Sequence, residues 1–596
     1  MPNPARRRLV TRQSAVRAIA RRPLFWDRCG RPFIRETGQM IRLGSGGALL
    51  LTLGVIMASE PLAAQSPGIE QAVGRSGMVS TGHPLATEAG LGVLAAGGNA
   101  FDAAVAIAAA LNVVEPMMSG IGGYGTILVY DAKSGRARFL NSSGRIPAAV
   151  NSDAFRPPAP GYMQNRRGAK AVSTPGNLHA WEAMWREHGS REWRTLFAPA
   201  IQLADSGFTI GSRTAGLIRD AYASFPPHAK AIYGSGDAPL AAGQQLVQKD
   251  LARSLRLIAD SGAGAFYGGE IGRAIDQAMR DAGGFLALAD LTSDKAEWWD
   301  PIAIEYRGLR VLTASPPANS FDALARLGIM ERFDSRSLGH NSVEYLHRFA
   351  EATKIGFWMR LRFAGDPEIA PPPIARLFSK AYLDSLTASI DPGRARPFVP
   401  PGVTASAGNN TTHFVVADRW GNVVSATQTL GNAFGARLMA EGTGIWLNNS
   451  LAYATFEPKG NPMDAFAGRR KLSGDVPVIV MRDGRPWIAI GTPGGHTIGQ
   501  TVPQMIMNVI DFNMDIQRAI AAPRVSFFEP DSLLVEPGIP DAVRAQLAAR
   551  GHKIRVPSRP SIGDAHGLTI EYDAQGRPVR FTGGTDPRGE GLAKGR

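Results

Sequence analysis

Apolar and polar positions fall into three textures along the chain. Residues 87–113 read as two Ala-rich helices, TEAGLGVLAA and AFDAAVAIAAALNVV, broken at Gly97-Gly98-Asn99, where a left-handed stop is expected. GIGGYG at 120–125 follows, then TILVYDAKSGRARFL, whose alternation turns at Lys133-Ser134-Gly135 and predicts a hairpin. Residues 175–300 carry helical periodicity with polar faces, 301–315 return to strand character, and 321–363 are helical again. The Pro-rich stretch 366–402, with Pro371-Pro372-Pro373 and Pro400-Pro401, reads as a loop-rich connector. Beyond 411 strands dominate: THFVVAD, NVVSATQTL, VPVIVMR and PWIAIGT, with a helix TIGQTVPQMIMNVIDF after them. The chain divides near residue 410 into a helix-rich part and a strand-rich one.

The amino-terminal 64 residues have a different character. Leu43 to Ser59 is uncharged, with ALLLTLGVIMA at its centre, a basic flank before it and PLAAQ after it. Ala63 and Ala64 are small residues suited to signal peptidase, so a secretory signal is expected. The apolar run is shorter than the ~20 residues of a spanning helix; an uncleaved membrane anchor is the alternative. Met40 stands directly before this signal, which makes residues 1–39 a candidate over-extended start. Arg21-Arg22 resembles a twin-arginine pair but lies far from the apolar run.

Composition then removes whole classes. With 596 residues, 44% of them hydrophobic and 19% charged, the chain is an ordinary globular protein and not a disordered or collagenous one. A net charge of +14 suggests nucleic acid, yet residues 1–64 supply +8 of it through eleven Arg against Asp27, Glu36 and Glu60. The body has no basic block with interleaved aromatics, so no nucleic-acid partner is expected, and a membrane only through the signal. The single cysteine, Cys29, lies in the same segment. A mature exported chain would have no disulfide, no Cys nucleophile and no thiolate metal site.

Candidate chemistry is sparse and specific. GIGGYG fits the dinucleotide spacing, but a helix precedes it and a strand follows, the reverse of what phosphate binding needs. H-E-x-x-H and G-x-S-x-G are both absent, and His83, His413 and His496 are singletons read as structural. No metal and no cofactor are expected. In NNTTHFVVADRWGNVVSATQTLGN, Asp418 to Asn422 form a three-residue hairpin loop with Gly421 at the position that wants φ > 0. Pairing Asp418 with Asn422 sets Thr411 directly across from Thr429. Such a pair is an ordinary cross-strand contact or a nucleophile with its partner. Gly494-Gly495, between a strand and a helix, is an ordinary turn or a pair of free amides for an oxyanion.

Taken together these residues resemble the γ-glutamyltransferase (γ-glutamyltranspeptidase) family of amino-terminal-nucleophile hydrolases. GMVSTGHPLATEAGLGVLAAGGNAFDAAVA and VVEPMMSGIGGYGTILVYD are similar to its large-subunit signature. TTHFVVADRWGNVVSATQTL, then LNN, KLSG and GTPGG, follow in the order of its small subunit. The resemblance implies a four-layer αββα sandwich of the α/β (α+β) class. It implies self-cleavage between Asn410 and Thr411, with 65–410 the large subunit and 411–596 the small one, held as a heterodimer. Thr411 would be the nucleophile, its new α-amino group the base, Thr429 the orienting partner, and Gly494 and Gly495 the oxyanion donors.

The resemblance also shows where this chain departs. The family holds a γ-glutamyl head by an Arg, an Asp and a Ser-Ser pair. Here Ser143 stands at the Arg position, with Arg145 two residues on, and Tyr453 stands at the acidic position. Ser450 takes a Gln position, Gly431 replaces an Asn with Asn432 adjacent, and the Ser-Ser pair becomes Ser473-Gly474. Losing the partner of a buried charge costs roughly 3–5 kcal/mol. The expectation is intact machinery with an altered acyl pocket, acting on a small-molecule amide with water or an amino acceptor. The alternatives are an ordinary γ-glutamyltransferase or glutathione hydrolase, and a non-catalytic binding protein on the same fold. Asn449 to Arg470 is read as a lid or as an inert surface loop.

Overall fold

The computed structural model describes residues 70–402, 410–528 and 531–596; the expected signal, Met40 and Cys29 lie outside the described residues. Two sheets organise the rest. In chain order their strands are β1 (Ala72–Gly74), β2 (Gly77–Thr81), β3 (Tyr124–Asp131), β4 (Arg136–Asn141), β5 (Glu297–Trp299), β6 (Ile302–Tyr306) and β7 (Leu309–Thr313). Then come β8 (Asn410–Asp418), β9 (Val423–Gly431), β10 (Val478–Arg482), β11 (Arg485–Gly491), β12 (His566–Tyr572), β13 (Pro578–Thr585) and β14 (Leu592–Gly595). The first sheet runs β14-β2-β8-β9-β3-β4-β5 and the second β1-β13-β12-β11-β10-β7-β6, antiparallel throughout.

Side-chain parity builds the layers. Along β8, Phe414 and Val416 pack with helices α1 (Pro84–Ala95) and α2 (Ala100–Val114), while Val415 and Ala417 face the other sheet. Along β11, Ala489 faces between the sheets, and Ile488 and Ile490 pack with α3 (Phe321–Met330), α4 (Val343–Phe363) and α5 (Ile498–Ile510). Period-2 alternation on strands buried on both faces gives a helix–sheet–sheet–helix sandwich, the architecture the resemblance implies. The strands after 411 pair as expected, β9 with β3 and β10 with β7.

Two local expectations change. Gly97, at φ 85, supplies the left-handed stop of α1 by itself. Asn99 instead starts α2: its side chain accepts from the N–H groups of Phe101 and Asp102, and Asp102 returns a bond to the Asn99 N–H. The Pro-rich stretch 366–402 holds two short helices, Ile374–Leu377 and Lys380–Ala388. Pro371 to Pro373 precede the first, where the missing N–H costs nothing.

Candidate active site

The hairpin β8–β9 carries the expected pair. Asp418 N–H donates to Asn422 O at 3.1 Å, and Gly421 sits at φ 88, as the loop chemistry requires. From Ala417↔Val423 to Thr412↔Gln428 the register is the predicted one. A bulge between Asn410 and Thr412 then shifts it, and Asn410 pairs with Gly431. Thr411 keeps its contact across the bulge: its hydroxyl donates to Thr429 Oγ1 at 3.1 Å. The Thr429 hydroxyl donates to the carbonyl oxygen of Asn410, and the Gly431 N–H donates to Thr429 Oγ1 at 2.8 Å. Both threonines are buried, at 2% and 3% exposure.

Parity decides which way this segment points. Val415 and Ala417 face between the sheets, and His413 lies on the same side, its ring against Gly491 of β11. Thr412 points the other way, into the helix layer, where its hydroxyl donates to Glu115 Oε2 at 2.7 Å. Burial raises Glu115 to about 7 against the pull of Arg213 and the Thr412 bond. His413 bonds Thr427 through Nδ1 at 2.8 Å, and His83 caps α1 by accepting from Leu85 N–H, so both act structurally. The His496 Nδ1 lies 2.6 Å from Arg360 Nη1.

Gly494 and Gly495 form the turn between β11 and α5. Their φ values, 142° and 58°, lie where side chains are disfavoured, which accounts for two successive glycines. Among the described residues their N–H groups donate to no protein acceptor. Gly474 approaches this turn from the preceding loop, the carbonyl oxygen of Gly495 lying 3.5 Å from where its Cβ would be.

The residues expected to read substrate each have contacts within the chain. Ser143 is fully buried and its hydroxyl donates to Asn141 Oδ1 at 2.6 Å. Arg145 is paired with Glu297 and Glu368. Ser450 is tied to Ser173. Gly431 is a glycine for two reasons, φ 99 and Asn449 Oδ1 only 2.3 Å from where a Cβ would sit. Asn432 N–H donates to that same Asn449 oxygen. Tyr453 donates to Gly431 O at 3.3 Å, and Ser473 Oγ accepts from Asp475 N–H at 3.1 Å. The segment from Asn449 to Arg470 is anchored, since Leu451, Ala454, Phe456 and Ala465 share a small core with Ile146, Val150 and Phe155.

Four residues that sequence reasoning missed line the same region. Tyr124, opposite Thr429 in the β3–β9 register, has its hydroxyl against Thr429. Asn449 holds Asn432 and, among the described residues, its own amide nitrogen has no hydrogen-bond partner. Lys471 lies 3.2 Å from the Tyr124 ring centre, and Asp475 follows four residues later. Only the LNN and KLSG strings hinted at any of these; the alternation that finds strands does not find a wall assembled from separate segments.

A possible metal cluster lies elsewhere. His347, Glu351 and His552 bring ligand atoms within 4.8 Å of one another. Protein partners already account for them: His347 Nδ1 bonds His552 Nε2 at 2.9 Å, His347 Nε2 meets Asp391 O, and Glu351 pairs with Lys354. Among the described residues no helix is long and apolar enough to cross a membrane.

The gamma-glutamyltranspeptidase family model matches residues 86–595. The chain is 37% identical over 537 residues to the acylase ACY 1 proenzyme of Pseudomonas sp. (strain V22), covering 86% of this chain and 95% of that one. It is 34% identical over 523 residues to the glutathione hydrolase proenzyme of Bacillus subtilis (strain 168), covering 84% and 89%. Its structure is similar to that of the cephalosporin acylase from Bacillus halodurans, with TM-score 0.81 and 28% identity over 91% of this chain and 99% of that one. The chain therefore belongs to the γ-glutamyltranspeptidase family of amino-terminal-nucleophile hydrolases, and is an amide hydrolase or acyltransferase of that family.

Proposed function

We propose that this chain is a precursor that cleaves itself between Asn410 and Thr411 and then hydrolyses an external amide through Thr411. One observation carries the reading: Thr411 donates to Thr429 while Thr429 donates to the Asn410 carbonyl. The nucleophile and the polarised carbonyl of the bond it must attack thus share one hydroxyl. Attack of Thr411 Oγ on that carbon moves the acyl group from nitrogen to oxygen and frees the α-amine. Water then splits the ester, leaving an Asn410 carboxylate on a large chain and a Thr411 amino terminus on a small one. In turnover the amine, with a reference pKa of about 7.7–8.0, takes the Thr411 proton. The Gly494 and Gly495 amides face the developing oxyanion, the amine product leaves with the proton, and water or an amino acceptor releases the acyl group.

The acyl pocket is altered relative to the γ-glutamyl arrangement. Ser143 and Tyr453 carry no charge to hold a γ-glutamyl head, and Arg145 is spent on Glu297 and Glu368. The basic, apolar and small-residue segments before Gln65 support export. Release of p-nitroaniline from a panel of acyl anilides tests the reading. We expect hydrolysis that Thr411→Ala abolishes, with L-γ-glutamyl not the best acyl group. The glutathione hydrolase relatives favour a second reading, ordinary γ-glutamyl turnover, and a clear optimum for L-γ-glutamyl would establish it instead.

A further inference from the structure

The bulge at the start of β8 takes the nucleophile out of the regular ladder. The register shifts between Asn410 and Thr412, so the unbroken cross-strand pairs begin at Thr412↔Gln428. Position 412 is therefore the last fixed point before Thr411. Gln428 does not hold it: among the described residues neither atom of that buried side-chain amide has a partner. What holds Thr412 comes from the helix layer. Its hydroxyl donates to Glu115 Oε2 at 2.7 Å, and both residues are buried. This is the one side-chain hydrogen bond of Glu115 among the described residues. Arg213, whose charge favours the ionised form, is paired with Asp564 instead. Burying a carboxyl for a single hydroxyl is costly. Space is kept for it nonetheless, since a Cβ on Gly82 would lie 2.8 Å from Glu115 Oε2. The same turn grips the other strand. Glu115 ends α2, and its carbonyl oxygen accepts from Met118 N–H at 2.9 Å. The Met118 carbonyl accepts from Leu430 N–H at 2.9 Å, and that of Met117 from Phe434 N–H at 3.1 Å. Leu430 follows Thr429 as Thr412 follows Thr411, so residues 115–118 hold the neighbour of each threonine.

Resting on the hydrolase reading above, we propose that Glu115 is a positioning residue for the reaction: through Thr412 it fixes the bulge that presents the Thr411 hydroxyl to Thr429. Thr412 points into the helix layer while Thr411 turns toward Thr429, so pinning the first side chain sets the direction of the second. Glu115 reaches no reacting atom and supplies geometry, not a proton. Geometry is what this step needs. A misplacement of about 1 Å can cost a reaction about a hundredfold, and the contact between the threonines is a single 3.1 Å bond. Burial holds the Glu115 carboxyl up to about 7. Around neutrality an uncharged group therefore already accepts from Thr412 in much of the population, and a carboxamide of the same shape can stand in for it. An alkyl side chain cannot.

The test follows self-cleavage of the full chain after a pulse of cell-free synthesis, on a denaturing gel. It compares wild type with Thr412→Val, Thr412→Ser, Glu115→Ala, Glu115→Gln and the double variant Thr412→Val/Glu115→Ala. Thr412→Val keeps the shape of the side chain and loses the donor, so it should slow cleavage by about tenfold or more. Glu115→Ala should do the same, while Thr412→Ser and Glu115→Gln should recover most of the rate. The double variant should be no slower than the slower single one, because both act through one bond. Once processed, Thr412→Val should turn over the best p-nitroanilide of wild type with a lowered kcat and a KM within about twofold. A wild-type cleavage rate in Thr412→Val would overturn the assignment. So would a Glu115→Gln as slow as Glu115→Ala, losses that multiply in the double variant, or a turnover defect confined to KM. Should Glu115→Ala fail to fold, the isosteric Thr412→Val and its Thr412→Ser control carry the test. An uncut wild-type chain would refute the hydrolase reading itself, whereas wild type and Thr412→Val cut at equal rates would refute only the role of Glu115.

Discussion

The hydroxyl of Thr429 serves two partners, and that sets its expected phenotype. It accepts from Thr411 and donates to the Asn410 carbonyl, so on the proposed mechanism its loss would remove both the orientation of the nucleophile and the polarisation of the scissile bond. Thr429→Ala should slow self-cleavage and turnover by about a hundredfold or more, whereas Thr429→Ser should restore most of both. Time courses of chain cleavage on a denaturing gel check this. Equal rates for Thr429→Ala and wild type would make the pair an ordinary cross-strand contact. Glu115 makes a second prediction. Its folded pKa, raised to about 7 from 4.5, means the folded state binds this proton more tightly than the unfolded one. That contribution is complete below the unfolded value and is lost as pH rises through about 7, on the order of 3 kcal/mol in all. Glu115→Gln keeps an acceptor for Thr412 and should remove this fall. Thermal midpoints of both proteins from about pH 5 to about pH 8 should converge at the acid end and separate in favour of the variant above neutrality; parallel curves would contradict it. At this scale the sequence was legible where the partners lie on one hairpin. Thr411 opposite Thr429 follows from counting back from the turn. Tyr124, Asn449, Lys471 and Asp475 were not legible, because three separate segments bring them to one wall.

Elements show why particular glycines are fixed. A Cβ on Gly491 would lie 2.3 Å from the His413 ring, which is buried between the sheets and held by Thr427. Gly491→Ala should therefore destabilise the protein by about 1–3 kcal/mol, read as a lowered thermal midpoint. It should also slow self-cleavage, since His413 is two residues from Thr411 on the same strand face. A fully stable, normally processed variant would show that the imidazole moves aside freely. Strand and helix placement was readable from alternation and from the Ala-rich runs, because those elements are defined by which face is buried. The helices within 366–402 were not, since prolines ahead of a helix and prolines in a loop look alike without the packing partner. The bulge at Asn410 was also hidden: nothing in Asn-Asn-Thr-Thr specifies an extra residue, and it arises where β8 leaves its ladder beside Gly431.

For the molecule as a whole, neither half can keep its sheets alone. β2 pairs with β8, β3 with β9 and β7 with β10, so each sheet is built from strands on both sides of Asn410. Separating the halves would open strand edges buried on both faces. The processed chains should co-elute as one species in native size-exclusion chromatography and separate only in denaturant; dissociation under native conditions would contradict this interleaving. The same interleaving would hold the two chains together after the proposed cut beside Thr411. The measurement that tests the central claim most directly is the intact mass of the purified protein beside its Thr411→Ala variant. The account predicts two wild-type chains, the smaller beginning at Thr411, and one uncut chain in the variant. A single uncut wild-type chain, or a small chain beginning at another residue, would contradict it.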